Sequence, residues 1–259
     1  MQALAGQERF SVERVAQQYL RWYQSLPFDI GVTTRIGLAG GLNQPVGRIH
    51  TGMLNEAEHN SQRSKSNGGL MRIAPLGVWG WRLSEEDLVD AACQDNRLTQ
   101  PNPACQHSSA LYCLAIRYLV LNPGHGEGAF ETARRWAERL GNAEVREWIH
   151  LAEINDDVGY HPSAGFVKYG FVHAFRHLKN KSSYLDALFE TLSGGGDTDT
   201  NACILGGLVG AYQGEEGIAA PMKDALLRCD SEKGRRRPEL LQTRIQLPGM
   251  LDRFFSLQQ

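Results

Sequence analysis

The chain has 259 residues, 42% hydrophobic and 22% charged, with a formal net charge of -2. That length can bury a large core, and the composition is that of a soluble globular protein. A charge this close to neutral excludes a field that would gather nucleic acid or an anionic membrane, and no run approaches the ~20 apolar residues of a spanning helix.

Taken in chain order, helical stripes dominate. Ser11 heads a segment with Val12, Val15, Ala16, Tyr19, Leu20 and Tyr23 at helical spacing, stopped before Pro27. Further stripes follow Ser84 (Leu88, Ala91, Ala92) and run through Leu111, Leu114, Ala115 and Tyr118, then through Phe130, Ala133, Trp136 and Leu140. Two more follow Asn142 (Val145, Trp148, Ile149) and Ser183 (Leu185, Leu188, Phe189, Leu192). Alternating β-branched runs are scarce and the breaks carry Gly, Pro and Asn, which predicts an all-α fold. The absence of a fixed-period repeat excludes a solenoid. A charged stretch at residues 232–238 reads as a solvated loop before a last helix.

The chemically richest run is Ser-Gly-Gly-Gly-Asp-Thr-Asp-Thr-Asn at residues 193–201. It sets Asp197 and Asp199 beside Thr198 and Thr200 in a glycine-rich turn that opens an apolar helix. Aspartates at a helix start also cap N–H groups, but capping needs only one aspartate and no glycine run. Two carboxylates this close repel unless a cation or a protonation shift compensates, and hard oxygen donors favour magnesium, manganese or calcium over zinc. His173 and His177 have the spacing of a helical zinc pair, but Ala174 stands where the zinc-protease pattern needs glutamate, so no zinc site is expected there. Five cysteines, odd in number and without a C-x-x-C pair, read as reduced, packed thiols. With no recognisable signal peptide, they predict a cytoplasmic protein.

Two further motifs precede that turn. One is Pro27-Phe28-Asp29-Ile30-Gly31 with Thr34 close behind; the other runs from Ser64 through Ser66, Asn67, Gly68, Gly69, Leu70, Met71 and Arg72 to Pro75. In this order and with helical sequence between them, the three resemble the ADP-ribosylglycohydrolase family, all-helical hydrolases that include dinitrogenase-reductase-activating and ADP-ribosylarginine hydrolases. The resemblance implies a compact orthogonal multi-helix bundle forming one domain over residues 1–259. It implies removal of ADP-ribose from modified protein side chains, foremost arginine, with ADP-ribose or an ADP-ribosylated protein as partner and no nucleic acid or membrane.

The same resemblance implies that Asp197, Asp199 and Thr200 ligate divalent ions, two magnesium or manganese ions in the family. Asp29 matches an active-site aspartate proposed to manage a proton, and between Phe28 and Ile30 it is expected to be partly desolvated; its bland reading is a cap on Thr33 or Thr34. Ser66, Asn67, Gly68, Gly69 and Met71 match a loop that holds ADP-ribose, in keeping with glycines that let backbone N–H groups approach phosphate. Phe166 matches an aromatic that stacks on adenine, against the bland reading of a core phenylalanine.

Departures are visible too. Gln100 stands where the family usually carries histidine, and Ser66 where glycine is common. A Thr-Asp-Asp motif that completes the family's metal site does not occur, and residues 1–5 resemble the middle of the helix that normally follows it. The expected consequences are weaker metal binding, loss of one ion, and uncovered apolar faces that favour self-association. Alternatives are another ADP-ribosyl linkage such as an ester or serine adduct, a catalytically impaired ADP-ribose-binding or structural protein, and a shortened form of an active enzyme.

Overall fold

The computed structural model describes residues 1–229 and 242–255. The charged stretch at 232–238 lies outside the described residues. Within them the protein is all-α: α1 (Val12–Gln24), α2 (Val32–Ala39), α3 (Ile49–Asn60), α4 (Ala74–Trp79), α5 (Glu85–Arg97), α6 (Pro103–Leu121), α7 (Gly126–Leu140), α8 (Ala143–Glu153), α9 (Val167–Lys179), α10 (Tyr184–Ser193), α11 (Thr198–Gln213), α12 (Ala220–Leu227) and α13 (Thr243–Phe255). Among the described residues the β-structure is one antiparallel bridge between Ser66 and Phe166.

Local chemistry sets the helix starts. The N–H groups of Arg14, Asp87, Val145 and Asp186 donate to the side chains of Ser11, Ser84, Asn142 and Ser183, at 3.4, 3.0, 3.1 and 3.1 Å. Each bond satisfies an orphan donor of a first turn, so these starts are written in the sequence.

Helix α6 is the axis of the main core. Its face from Ala104 to Leu119 is buried, and α4, α5, α7 and α11 pack around it. Trp148, Phe130, Phe171 and Phe175 fill the space between α7, α8 and α9, and Met250 and Phe254 of α13 join the same core. A second, smaller cluster gathers Val15, Ala16 and Leu20 of α1, Leu38 of α2, and Ile49 and Met53 of α3. The functional cleft is walled from both.

Two expectations need correction. Residues 2–6 form turns rather than helix, because Gly6, at φ +69°, breaks the segment after little more than one turn while Leu4 plugs the main core. The cysteines are free, but only Cys105 and Cys113 are buried; Cys203 and Cys229 are exposed.

Candidate active site

A cleft of about 730 Å³ is walled by the two clusters, inside the ~300–1,000 Å³ range of small-molecule sites. Asp29, Ser66, Asn67, Gly68, Met71, Asp197, Asp199 and Thr200 all line it, although the sequence scatters them over three regions. Gly69 and Phe166 stand outside the lining.

The turn before α11 owes its shape to glycine. Gly195 and Gly196 lie at φ +78° and +71°, the left-handed region, and a Cβ on Gly196 would sit 2.8 Å from the Tyr160 carbonyl oxygen. Asp197 occupies the N-cap position of α11 but makes no side-chain cap bond. Its Oδ2 instead accepts from the Asn67 Nδ2 amide at 2.7 Å. The capping explanation for Asp197 therefore fails, and its carboxylate faces the cleft beside Asp199 and Thr200. Two carboxylates and a hydroxyl suit magnesium, which binds through one or two carboxylates and keeps several waters. Among the described residues there is no group of three or more His, Cys, Asp or Glu side chains placed to hold a metal ion, so any ion here would rest on these two carboxylates, the hydroxyl and water.

The second wall is the loop that carries Asn67 and Gly68. It is pinned across the molecule: the Asn67 N–H donates to the Gly165 carbonyl and the Val167 N–H to that of Lys65, both at 2.9 Å. Beneath it lies Gln100, fully buried, whose Nε2 donates to Thr34 Oγ1 at 3.1 Å and Ser66 Oγ at 3.4 Å. A Cβ on Gly68 would stand 2.7 Å from Thr34 Oγ1 and 2.9 Å from Gln100 Nε2; one on Gly69 would strike Asn96 at 2.5 Å. Gly69 thus serves packing beneath the loop. Phe166 contributes backbone to the bridge, while its ring meets Trp148 and Tyr169 edge-on at 5.7 and 5.6 Å.

Asp29 sits in the connection between α1 and α2. The expected burial is absent: Asp29 and its neighbour Phe28, 92% exposed, line the cleft in the connection between α1 and α2 but remain open to solvent. Asp29 is not the N-cap of α2, a position held by Gly31.

Sequence reasoning missed the inner wall. Tyr19 and Trp22 of α1 line the cleft beside Arg72, the motif arginine, which lies over the Tyr19 ring at 4.5 Å. The Tyr19 hydroxyl donates to Asp95 at 2.8 Å, and Arg72 reaches the same carboxylate at 3.4 Å. Burial, then the neighbouring Asp95 charge, pushes the Tyr19 phenol above its ordinary value. A tyrosine on an apolar helix stripe gave no sign of this; only an aspartate on the buried face of α5, beside Ala91 and Ala92, hinted that a partner existed.

Comparison with known proteins follows this geometry. The family model for ADP-ribosylglycohydrolase matches residues 1–256. A protein of Acanthamoeba polyphaga mimivirus, provisionally named ADP-ribosyl glycohydrolase L543, is 30% identical over 237 residues, covering 84% of this chain and 68% of its own. Among solved structures, a chain from an "ADP-ribosylglycohydrolase-related protein complex" superposes with a TM-score of 0.65 at 19% identity, covering 82% of this chain and 67% of that one. The last supports the fold. The chain belongs to the ADP-ribosylglycohydrolase family.

Proposed function

We propose that this protein hydrolyses the N-glycosidic bond between ADP-ribose and a modified protein side chain, with ADP-ribosyl-arginine as substrate and magnesium or manganese as cofactor. The observation that carries the reading is the 2.7 Å hydrogen bond from Asn67 to Asp197, which ties the glycine loop to the acidic turn on one cleft.

The electrostatics of the cleft call for a cation. Asp29, Asp197 and Asp199 line it, and its one cationic side chain among the described residues, Arg72, is already engaged by Asp95. A diphosphate would be repelled from such a surface. Asp197, Asp199 and Thr200 would hold the divalent ion, which supplies compensating charge and polarises oxygen at the reacting centre. Gly68 offers bare backbone on which a diphosphate can rest, and Asn67 keeps Asp197 oriented. Asp29, which lines the cleft, would take or return a proton as the bond to the side-chain nitrogen breaks.

The deciding experiment measures free ADP-ribose released from ADP-ribosyl-arginine with magnesium and then with a chelator. Turnover that the chelator abolishes supports the reading; equal turnover with chelator overturns its metal requirement. Parallel assays on ester and serine adducts assign the linkage. One observation favours a second reading, an ADP-ribose binder without turnover: two carboxylates and one hydroxyl are a sparse donor set. ADP-ribose binding seen by calorimetry without release from any adduct would select it.

A further inference from the structure

Tyr160 lies far from the three motifs, yet it is the floor on which the acidic turn rests. A Cβ on Gly194 would overlap the Tyr160 ring at 2.1 Å, and one on Gly196 would meet Tyr160 backbone and Cβ at 2.8 and 3.1 Å. The turn therefore lies flat against this one residue on both sides of Gly195.

The floor is itself held from below. The Tyr160 ring stacks on His173 of α9, with centroids 4.2 Å apart and planes 11° from parallel. His173 is buried; its Nε2 is 3.1 Å from the Gly159 carbonyl, and Arg176 approaches its Nδ1 at 3.2 Å. The guanidinium is a donor only, so Nδ1 accepts and the Nε2 proton points to Gly159, which locks the ring plane. Arg176 also grips Glu190 of α10, the helix that feeds the turn. Both ends of the turn are thus referenced to α9.

We propose that Tyr160, stacked on His173, is the positioning residue that fixes the turn at residues 194–196 and so directs Asp197 and Asp199 into the cleft. The metal consequence rests on the function proposed above; the placement of the turn does not. With the Tyr160 ring against Gly194 and its backbone and Cβ against Gly196, the turn has few conformations, so Asp197 and Asp199 are held toward the cleft.

The test compares Tyr160→Phe, which keeps the plate, with Tyr160→Leu and Tyr160→Ala, which remove it. Backbone amide exchange is followed by mass spectrometry, and Mn²⁺ binding by electron paramagnetic resonance, both on the full chain. With the plate gone, exchange at Gly194 and Asn201, whose amides bond the Glu190 and Asp197 carbonyls at 3.0 and 2.9 Å on either side of the turn, should rise about tenfold or more while α6 and α7 stay protected. Mn²⁺ affinity should fall by about 10- to 100-fold. Tyr160→Phe should restore both to wild type. Unchanged exchange at Gly194 and Asn201 in Tyr160→Leu overturns the proposal, as does an equal rise throughout α6 and α7. If exchange responds as expected but the wild type binds no Mn²⁺, the positioning role stands and the metal-dependent function falls.

Discussion

Two glycine-rich turns face each other across the cleft, alike in composition and unlike in physics. In the acidic turn, Gly195 and Gly196 adopt left-handed φ values and the bed is Tyr160, its ring against Gly194 and its backbone against Gly196. In the loop at 66–69, neither Gly68 nor Gly69 has a left-handed φ, and the bed is polar: Thr34, Asn96 and Gln100 lie where a Cβ would go. One turn needs glycine for its backbone, the other for its neighbours. A backbone requirement admits no repair by side-chain movement, whereas amide and hydroxyl tips can yield, so the two should respond differently to alanine.

The sharpest break of the comparison is chemical. Asp199→Asn should lower release of ADP-ribose about 100-fold or more, as loss of a charge-stabilising group does, with thermal stability unchanged. Activity close to wild type would remove the acidic turn from the reaction. Next comes the backbone. Gly196→Ala should cost about 1–3 kcal/mol, read as a lower unfolding midpoint in urea, because strain at positive φ adds to a 2.8 Å contact with carbonyl oxygen. Gly68→Ala should be milder in stability and should instead weaken ADP-ribose affinity; equal denaturation by both would erase the distinction.

A smaller effect is expected beneath the loop. Gln100→Leu removes the donors to Thr34 and Ser66 and should raise the ADP-ribose dissociation constant about tenfold, since one or two buried polar groups lose their partner. Titration calorimetry gives the answer directly, and unchanged affinity would reduce Gln100 to filler.

A last effect is read in the pH dependence of stability. Burial, followed by the nearby Arg176 and His173, depresses His177 to about 4 against the Glu190 carboxylate, and burial also lowers His173. The unfolded chain takes up protons near 6.5 that the folded chain refuses until lower pH, so this contribution is present above 6.5 and is lost as pH falls toward 4. Each histidine adds at most about 1.4 kcal/mol per pH unit to that slope. Unfolding curves of His177→Gln across pH 4 to 7 should be flatter than wild type; a parallel curve would show that His177 does not contribute.

How much of this was legible in the sequence depended on range. Ser11, Ser84, Asn142 and Ser183 announced their helices because each cap acts over three residues. The acidic turn and the glycine loop were visible because their composition is unusual over a few positions. Asn67 and Asp197 are 130 residues apart, and no local pattern states that one donates to the other. Gln100 looked like a lost histidine until its burial under Gly68 gave it partners. Asp29 misled for the converse reason: flanking apolar residues suggested burial, but Phe28 points outward. The ring of Phe166 meets Trp148 and Tyr169, an orientation that an aromatic between glycine and valine does not reveal.

The bridge between Ser66 and Phe166 also bears on how the molecule is made. The loop holding Asn67 is fastened by backbone bonds to Gly165 and Val167, and by a 2.6 Å ion pair from Lys65 to Glu144. A chain leaving the ribosome must therefore carry its first hundred residues of helix with that loop unanchored until α8 and α9 have emerged. Closing so wide a circuit is slow. The helices can mature in order of synthesis, but the cleft is assembled near the end, which would keep a half-made chain from acting on anything.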